Sequence, residues 1–375
     1  GGVLLSISKG RRDEQAAREY FTVALWLAVA FAVFYIAGGH LLFKPVTEFL
    51  GRNDTMGNYV DEYGRVLVTG APVFLFSAFL QAFVRNDRAP KVSMAAVVSG
   101  GVTNVVLDYI FIFPMKMGMA GAAIASVIGS LLTVGILLTH LFSPDNTLKV
   151  VARPEWKKAW EVVVNGFASF LLEMCNGVVT FLFNRQLLVY VGDLGVVVYG
   201  IISNSALIVA SISNGISQAV QPILATNYGA GRKSRLKETR HMGEMAVTIS
   251  GILFTGIGLL LPALVTAAFV KPTAEILAMS VPAVRIYFLS FFAMGFNILY
   301  GTYFQSVMKP GYSLFICMMR GMVINGILVF LLPVAFGVTG IWSVMPVTEF
   351  VTLIICRFLL AGQNKKLPST GVSGA

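Results

Sequence analysis

The chain has 375 residues, 56% of them hydrophobic and only 12% charged. A soluble domain carries about 25% charged residues, so this composition excludes a protein folded around one water-facing core and points to a bilayer. The formal net charge of +10 could signal nucleic-acid binding, but cations that gather by loop have a simpler meaning, since Lys and Arg collect in cytoplasmic loops.

Ten apolar runs reach the roughly 20 residues that a span needs: 19–43, 59–84, 90–114, 118–142, 157–191, 194–227, 239–270, 275–307, 311–334 and 338–361. None alternates with a period of two, which argues against a transmembrane barrel. The stretch GGVLLSIS ahead of the first run is too short to span. SPDNTLKVVARPEW (143–156) is the long polar connection, and it divides the chain into lobes at 1–150 and 151–375.

The cations sort by side. Nineteen of the 28 Lys and Arg residues fall in alternate connections, with the densest group at Arg232, Lys233, Arg235, Lys237 and Arg240. Only Lys44, Arg52, Lys116 and Lys271 lie in the other connections. The rich side is cytoplasmic by the positive-inside rule. The chain is therefore expected to be a multi-pass protein of the plasma (inner) membrane with a cytoplasmic C-terminus. The charge needs no nucleic-acid partner, and nothing points to more than a monomer.

The two lobes repeat one another. Residues 82–123 match 302–342, with Pro90 on Pro310, Asn104 on Asn325, Pro114 on Pro333, Gly118 on Gly337 and Gly121 on Gly340. Lys9-Gly10-Arg11 is matched to Ala230-Gly231-Arg232. Offsets of 219 to 221 mark a duplication. Ten runs and a repeat of this length imply two parallel six-helix halves, with the first two helices of the first half lying outside this chain.

Ionisable groups inside spans default to function or buried pairing. Asn165, Ser169, Glu173, Asn176, Thr180 and Asn184 follow at spacings of 4, 4, 3, 4 and 4, which places them on one helical face. That face is expected to border a wet cavity, with Glu173 binding a coupling cation or proton. Asn204, Ser211, Gly215 and Gln218 form a second polar face. Ser290, Asn297, Gly301 and Gln305 form a third, with Met294 and Tyr287 close in angle. Converging in the second lobe, these faces suggest a solvated substrate chamber whose aromatic and Met content suits organic cations. Asp108, near a membrane edge, reads as a cap or gate, and Arg320 and Glu349 as a structural pair between neighbouring helices.

Other signals are weak. Cys175, Cys317 and Cys356 sit in apolar runs without paired spacing, and the three histidines are isolated, so no metal is assigned. GAGRKS lacks the spacing of a phosphate-binding loop, and no catalytic triad is evident. An enzyme is not expected.

FVRNDRAPKVSMAAVVSGGVTNVVLDYIFIFPMKMGMAGAAIAS resembles the fifth and sixth helices of multidrug and toxic compound extrusion (MATE) transporters. NGISQAVQPILATNYGAGRKSRLKE is similar to the end of their eighth helix and the following loop. The resemblance covers essentially the whole chain. It implies an all-α polytopic bundle of twelve helices in two lobes, about ten of them present here, with no cofactor. It also implies alternating access and export of organic cations, drugs and dyes, in exchange for Na+ or H+. Some branches carry a functional carboxylate on the seventh helix, where Glu173 lies. Others couple through an Asp on a first helix, which this chain lacks, and an acidic tenth helix has no match here. The alternative is a lipid-linked oligosaccharide flippase of the same wider superfamily, which would favour an Arg-lined cavity over the neutral and acidic faces found here.

Overall fold

The computed structural model describes residues 1–49 and 57–364, and every regular element among them is a helix. The chain forms two compact units, Gly1–Val162 and Val163–Ala375.

The first unit contains α1 (Gly2–Gly10), α2 (Glu14–Leu41), α3 (Phe43–Phe49), α4 (Gly57–Asn86), α5 (Pro90–Ile112) and α6 (Gly118–Thr139), which ends in a 3₁₀ turn at His140–Phe142. Local chemistry sets the breaks. Asp13 caps α2, its Oδ1 accepting from the Ala16 amide at 2.9 Å, and Pro90 opens α5 where a missing N–H costs nothing. Phe21, Leu80, Phe83, Val84, Leu137 and Leu148 form the core. The connection 143–156 is stitched onto this unit. Leu148 is buried in its core, and the Val151 amide donates to Thr22 Oγ1 at 2.9 Å. The division between the units thus falls inside the next helix, α7 (Lys157–Tyr190).

The second unit continues with α8 (Asp193–Gly229), α9 (Lys233–Leu260), α10 (Pro262–Phe269), α11 (Ala274–Tyr287), α12 (Ser290–Ser306) and α13 (Pro310–Met318). A π-helical turn at Met319–Val323 leads into α14 (Ile324–Asn364), which kinks at Gly337. Tyr199, Tyr287, Phe291, Met294, Ile341 and Trp342 belong to its larger core.

Seven helical stretches among the described residues are long and apolar enough to cross a membrane, or eight if α11 and α12, bent by 41°, count as one. The helical stretch from Pro310 onward is continuous by that measure, but its kink at Gly337 separates the last two of the ten apolar runs.

The duplication is written in the backbone. Left-handed φ angles recur at Arg12 and Gly231 (61° and 68°), Arg88 and Met308 (65° and 54°), and Gly118 and Gly337 (59° and 57°). Such angles are uncommon for Arg and Met, so shared corner geometry is the economical explanation. The first pair corrects the sequence match at this corner. α1 ends at Gly10 and α8 at Gly229, so the offset there is 219 and not the 221 given by aligning Gly10 with Gly231. Between Pro90/Pro310 and Asn104/Asn325 the second copy gains one residue, and the π turn lies in that interval. A single extra residue in a helix is what a π turn absorbs.

Candidate functional site

In the first unit, α5 and α6 pack with almost no room between backbones. A Cβ on Gly100 would stand 1.9 Å from Thr133 Oγ1 and 2.6 Å from the Gly129 carbonyl oxygen. Small residues permit this approach between membrane helices. Thr133 Oγ1 lies 3.0 Å from the Gly129 carbonyl and 3.3 Å from that of Ala96, as donor to these backbone acceptors. Beside this seam lies a cavity of about 360 Å³ bordered by α4, with Ser77, Gln81, Asn104, Ser126, Ser130 and Thr133 supplying its polar lining.

Asn104 is the centre of the seam, its Nδ2 donating to Ser126 Oγ at 3.2 Å. Gly100, Asn104 and Asp108 recur every four residues, so they share one face of α5. Asp108 carries a buried Oδ1 with no hydrogen-bond partner among the described residues. Buried acceptors are almost always satisfied, so this oxygen is an exception. The face therefore offers a carboxylate oxygen, an amide and hydroxyls next to a polar cavity, a donor set suited to a small hard cation or a proton. The sequence alone assigns Asp108 to a cap or gate and the chamber to the other lobe.

The second unit has a different polar centre. Arg320, on the π turn, donates through Nε to Glu349 Oε1 at 2.6 Å. Asn297 Nδ2 donates to Glu349 Oε2 at 2.7 Å and to the Glu349 carbonyl oxygen at 2.8 Å. Glu349 and Asn297 are buried. Asn297 and Met294, expected to line a substrate chamber, lie in the interior of the second unit instead. α14 covers that face of α12 at Asn297, while Gln305 further along it is half-buried and bonds Ser169 and Ser313.

The remaining positions divide. Ser169, Thr180, Asn204 and Gln218 are exposed along α7 and α8, Asn184 is half-buried, and Asn165 is buried with both amide atoms lacking partners among the described residues. Ser169 Oγ lies 3.4 Å from Gln305 Nε2, linking α7 to α12. Asn204 Nδ2 is taken up by the Gly200 carbonyl of its own helix. The backbone of Glu173 and Asn176 is helical, but their side chains lie outside the described residues.

One polar cluster had no counterpart in the sequence reading. Asp87, wholly buried between α4 and α5, binds Lys9, Thr147 Oγ1, the Thr147 amide at 3.0 Å and His140 Nε2 at 2.8 Å. Burial pushes its carboxyl up, but the bonds from Lys9, Thr147 and His140 outweigh this and hold it below the ordinary value. Burial also draws Lys9 below the usual lysine range despite its partner. In the sequence, Asn86-Asp87-Arg88 reads as a solvated loop, and only the fold brings Lys9, His140 and Thr147 around it.

The model of the MatE family matches residues 2–110 and 166–331. Multidrug export protein MepA of Staphylococcus saprophyticus is 23% identical over 355 residues, covering 92% of this chain and 76% of that protein. A multidrug resistance MATE family transporter of the MOP superfamily, in an outward-facing conformation, superposes with a TM-score of 0.92 at 19% identity, over 98% of this chain and 83% of that one. The MATE multidrug transporter DinF-BH, solved as a complex, superposes with a TM-score of 0.86 at 27% identity, over 96% of this chain and 81% of that one.

Proposed function

Because the chain belongs to the MATE family of transporters, we propose that it exports small organic cations across the membrane by antiport against Na+ or H+, through alternating access. The MepA relatives, named as multidrug export proteins, and DinF-BH, named as a multidrug transporter, support a broad small-molecule cargo. The observation that carries the coupling is the unpartnered Oδ1 of Asp108, one turn from the Asn104–Ser126 contact on the cavity wall. Asp108 is half-buried, and negative charge on its buried, unpartnered oxygen is costly without a cation or a proton. It takes up a cation or a proton, and discharging that charge to the other side of the membrane can be linked to cargo movement. The exposed faces of α7 and α8 supply neutral polar and aromatic contacts for flat cations. Glu173, on α7, is a second carboxylate proposed for cation or proton binding.

Export of a cationic dye from proteoliposomes by Asp108→Asn and Glu173→Gln tests the assignment. Asp108→Asn is expected to reduce gradient-driven export by about tenfold or more, the loss of one buried charge interaction, with insertion and folding intact. Wild-type export by Asp108→Asn would remove that residue from coupling, and the same outcome for Glu173→Gln would remove Glu173.

A further inference from the structure

The hydrogen bonds of the two lobes fix the register of the duplication around the seam. Asn104 Nδ2 donates to Ser126 Oγ, and its repeat partner Asn325 Nδ2 donates to Met345 Sδ at 3.0 Å. Thr133 Oγ1 donates to the Gly129 carbonyl, and Thr352 Oγ1 to the Thr348 carbonyl at 2.7 Å. The Thr133/Thr352 pair makes Ser130 the counterpart of Glu349, and the Arg88/Met308 corner makes Ser77 the counterpart of Asn297. Arg320 lies in the interval where the second copy gains a residue, so it falls on Gly100 counted from Pro90/Pro310 and on Ser99 counted from Asn104/Asn325.

Ser77 and Ser130 border the 360 Å³ cavity. All three second-lobe residues form the buried cluster in which Arg320 and Asn297 bind the two oxygens of Glu349. Where one lobe has a polar cavity, the other has a carboxylate and a guanidinium. The residue that the second copy gained falls in the π turn carrying Arg320. At Gly100 lobe 1 has no room for a side chain, because even a Cβ there meets Thr133 and Gly129. Asn297 Oδ1, beside Glu349, is a further buried oxygen without a partner among the described residues.

We propose that Arg320 is a tethered cation: its guanidinium holds, in the second lobe, the place that a free coupling cation takes in the first. The proposal rests on the reading of the Asp108–Asn104–Ser126 face as the coupling site. It follows that only one lobe is loaded and unloaded by the ion gradient. The second lobe, its charge permanently balanced, keeps one packing through the cycle, and Arg320 is a positioning residue that makes the two duplicated halves unequal.

The test is chemical rescue on the purified chain. Arg320→Ala leaves Glu349 buried without its cation, so both thermal midpoint and dye export fall, export by about tenfold or more. Millimolar guanidinium, with NaCl of equal ionic strength as the control, restores both in that variant. In Arg320→Ala/Glu349→Gln, where cation and carboxylate are removed together, guanidinium has no effect and the midpoint exceeds that of either single variant. An Arg320→Ala protein that is folded but indifferent to guanidinium overturns the proposal. If Arg320→Ala does not fold, Glu349→Gln and the double variant decide, because a double variant no more stable than Glu349→Gln contradicts a coupled pair. Asp108→Asn separates the two readings. Wild-type export by Asp108→Asn overturns the first-lobe reading and the comparison built on it. Missing rescue alongside an inactive Asp108→Asn overturns the Arg320 assignment alone.

Discussion

Asn104 and Asn325 are repeat partners that make the same bond to different acceptors, Ser126 Oγ at 3.2 Å in the first lobe and Met345 Sδ at 3.0 Å in the second. A thioether is a weak acceptor, and Asn325 Oδ1 is buried without a partner among the described residues. Replacing Asn325 by Leu strands no strong partner and removes an unsatisfied oxygen. Asn325→Leu is therefore expected to leave the thermal midpoint unchanged or higher. Asn104→Leu, which strands a hydroxyl on the cavity wall, is expected to cost about 1 kcal/mol. Thermal unfolding of the two variants in the same detergent checks the contrast.

Neighbouring glycines in α5 make a second contrast. Gly100→Ala drives a methyl against Thr133 and the Gly129 backbone, an overpacking expected to cost about 1–3 kcal/mol. A Cβ on Gly101 meets nothing within 4 Å, so Gly101→Ala is expected to be neutral or to gain up to about 1 kcal/mol from helix propensity. Equal midpoints for the two variants would show that the α5–α6 seam is looser than described.

The Asp87 cluster predicts a pH dependence. Its folded carboxyl lies below the ordinary value, so the stabilisation is present above about pH 4 and is lost as pH falls through the lower, folded value. The wild-type midpoint should drop in that acid window, and Asp87→Asn should lack this component. At neutral pH Asp87→Asn leaves Lys9 buried beside a neutral amide, a loss of about 3–5 kcal/mol for a broken buried pair. A variant with the wild-type midpoint at neutral pH and the same acid profile would remove the cluster from the stability of lobe 1.

Orientation is testable by labelling. The native thiols Cys175, Cys317 and Cys356 are all buried, which leaves little background. With Lys237→Cys, a membrane-impermeant thiol reagent should react only after the cells are permeabilised. With Lys271→Cys it should react in intact cells. The reverse pattern would invert the positive-inside assignment and place the C-terminus outside.

Much of this architecture was legible in the chain. The spans and the repeat follow from long apolar runs and from matched Pro, Asn and Gly residues, because bilayer thickness and helix corners constrain those positions directly. The corner at Gly231 was found but misaligned by two residues: glycine identity drew Gly10 onto Gly231, whereas backbone geometry pairs Arg12 with it. Spacing puts Asn297 on a polar face, yet periodicity does not say what a face meets, and at Asn297 α14 meets it with Glu349. The first-lobe cavity depends on how residues of α4, α5 and α6 come together, which no spacing encodes. Asp87 was missed because its partners lie 53 to 78 residues away in sequence.

The most direct measurement is dye export from proteoliposomes with Na+ and pH gradients imposed one at a time, for the wild type and for Asp108→Asn. At least one gradient is expected to drive wild-type export, and Asp108→Asn to lose this drive while remaining folded. Wild-type export indifferent to both gradients, or an Asp108→Asn protein driven as strongly as the wild type, would contradict coupling through Asp108.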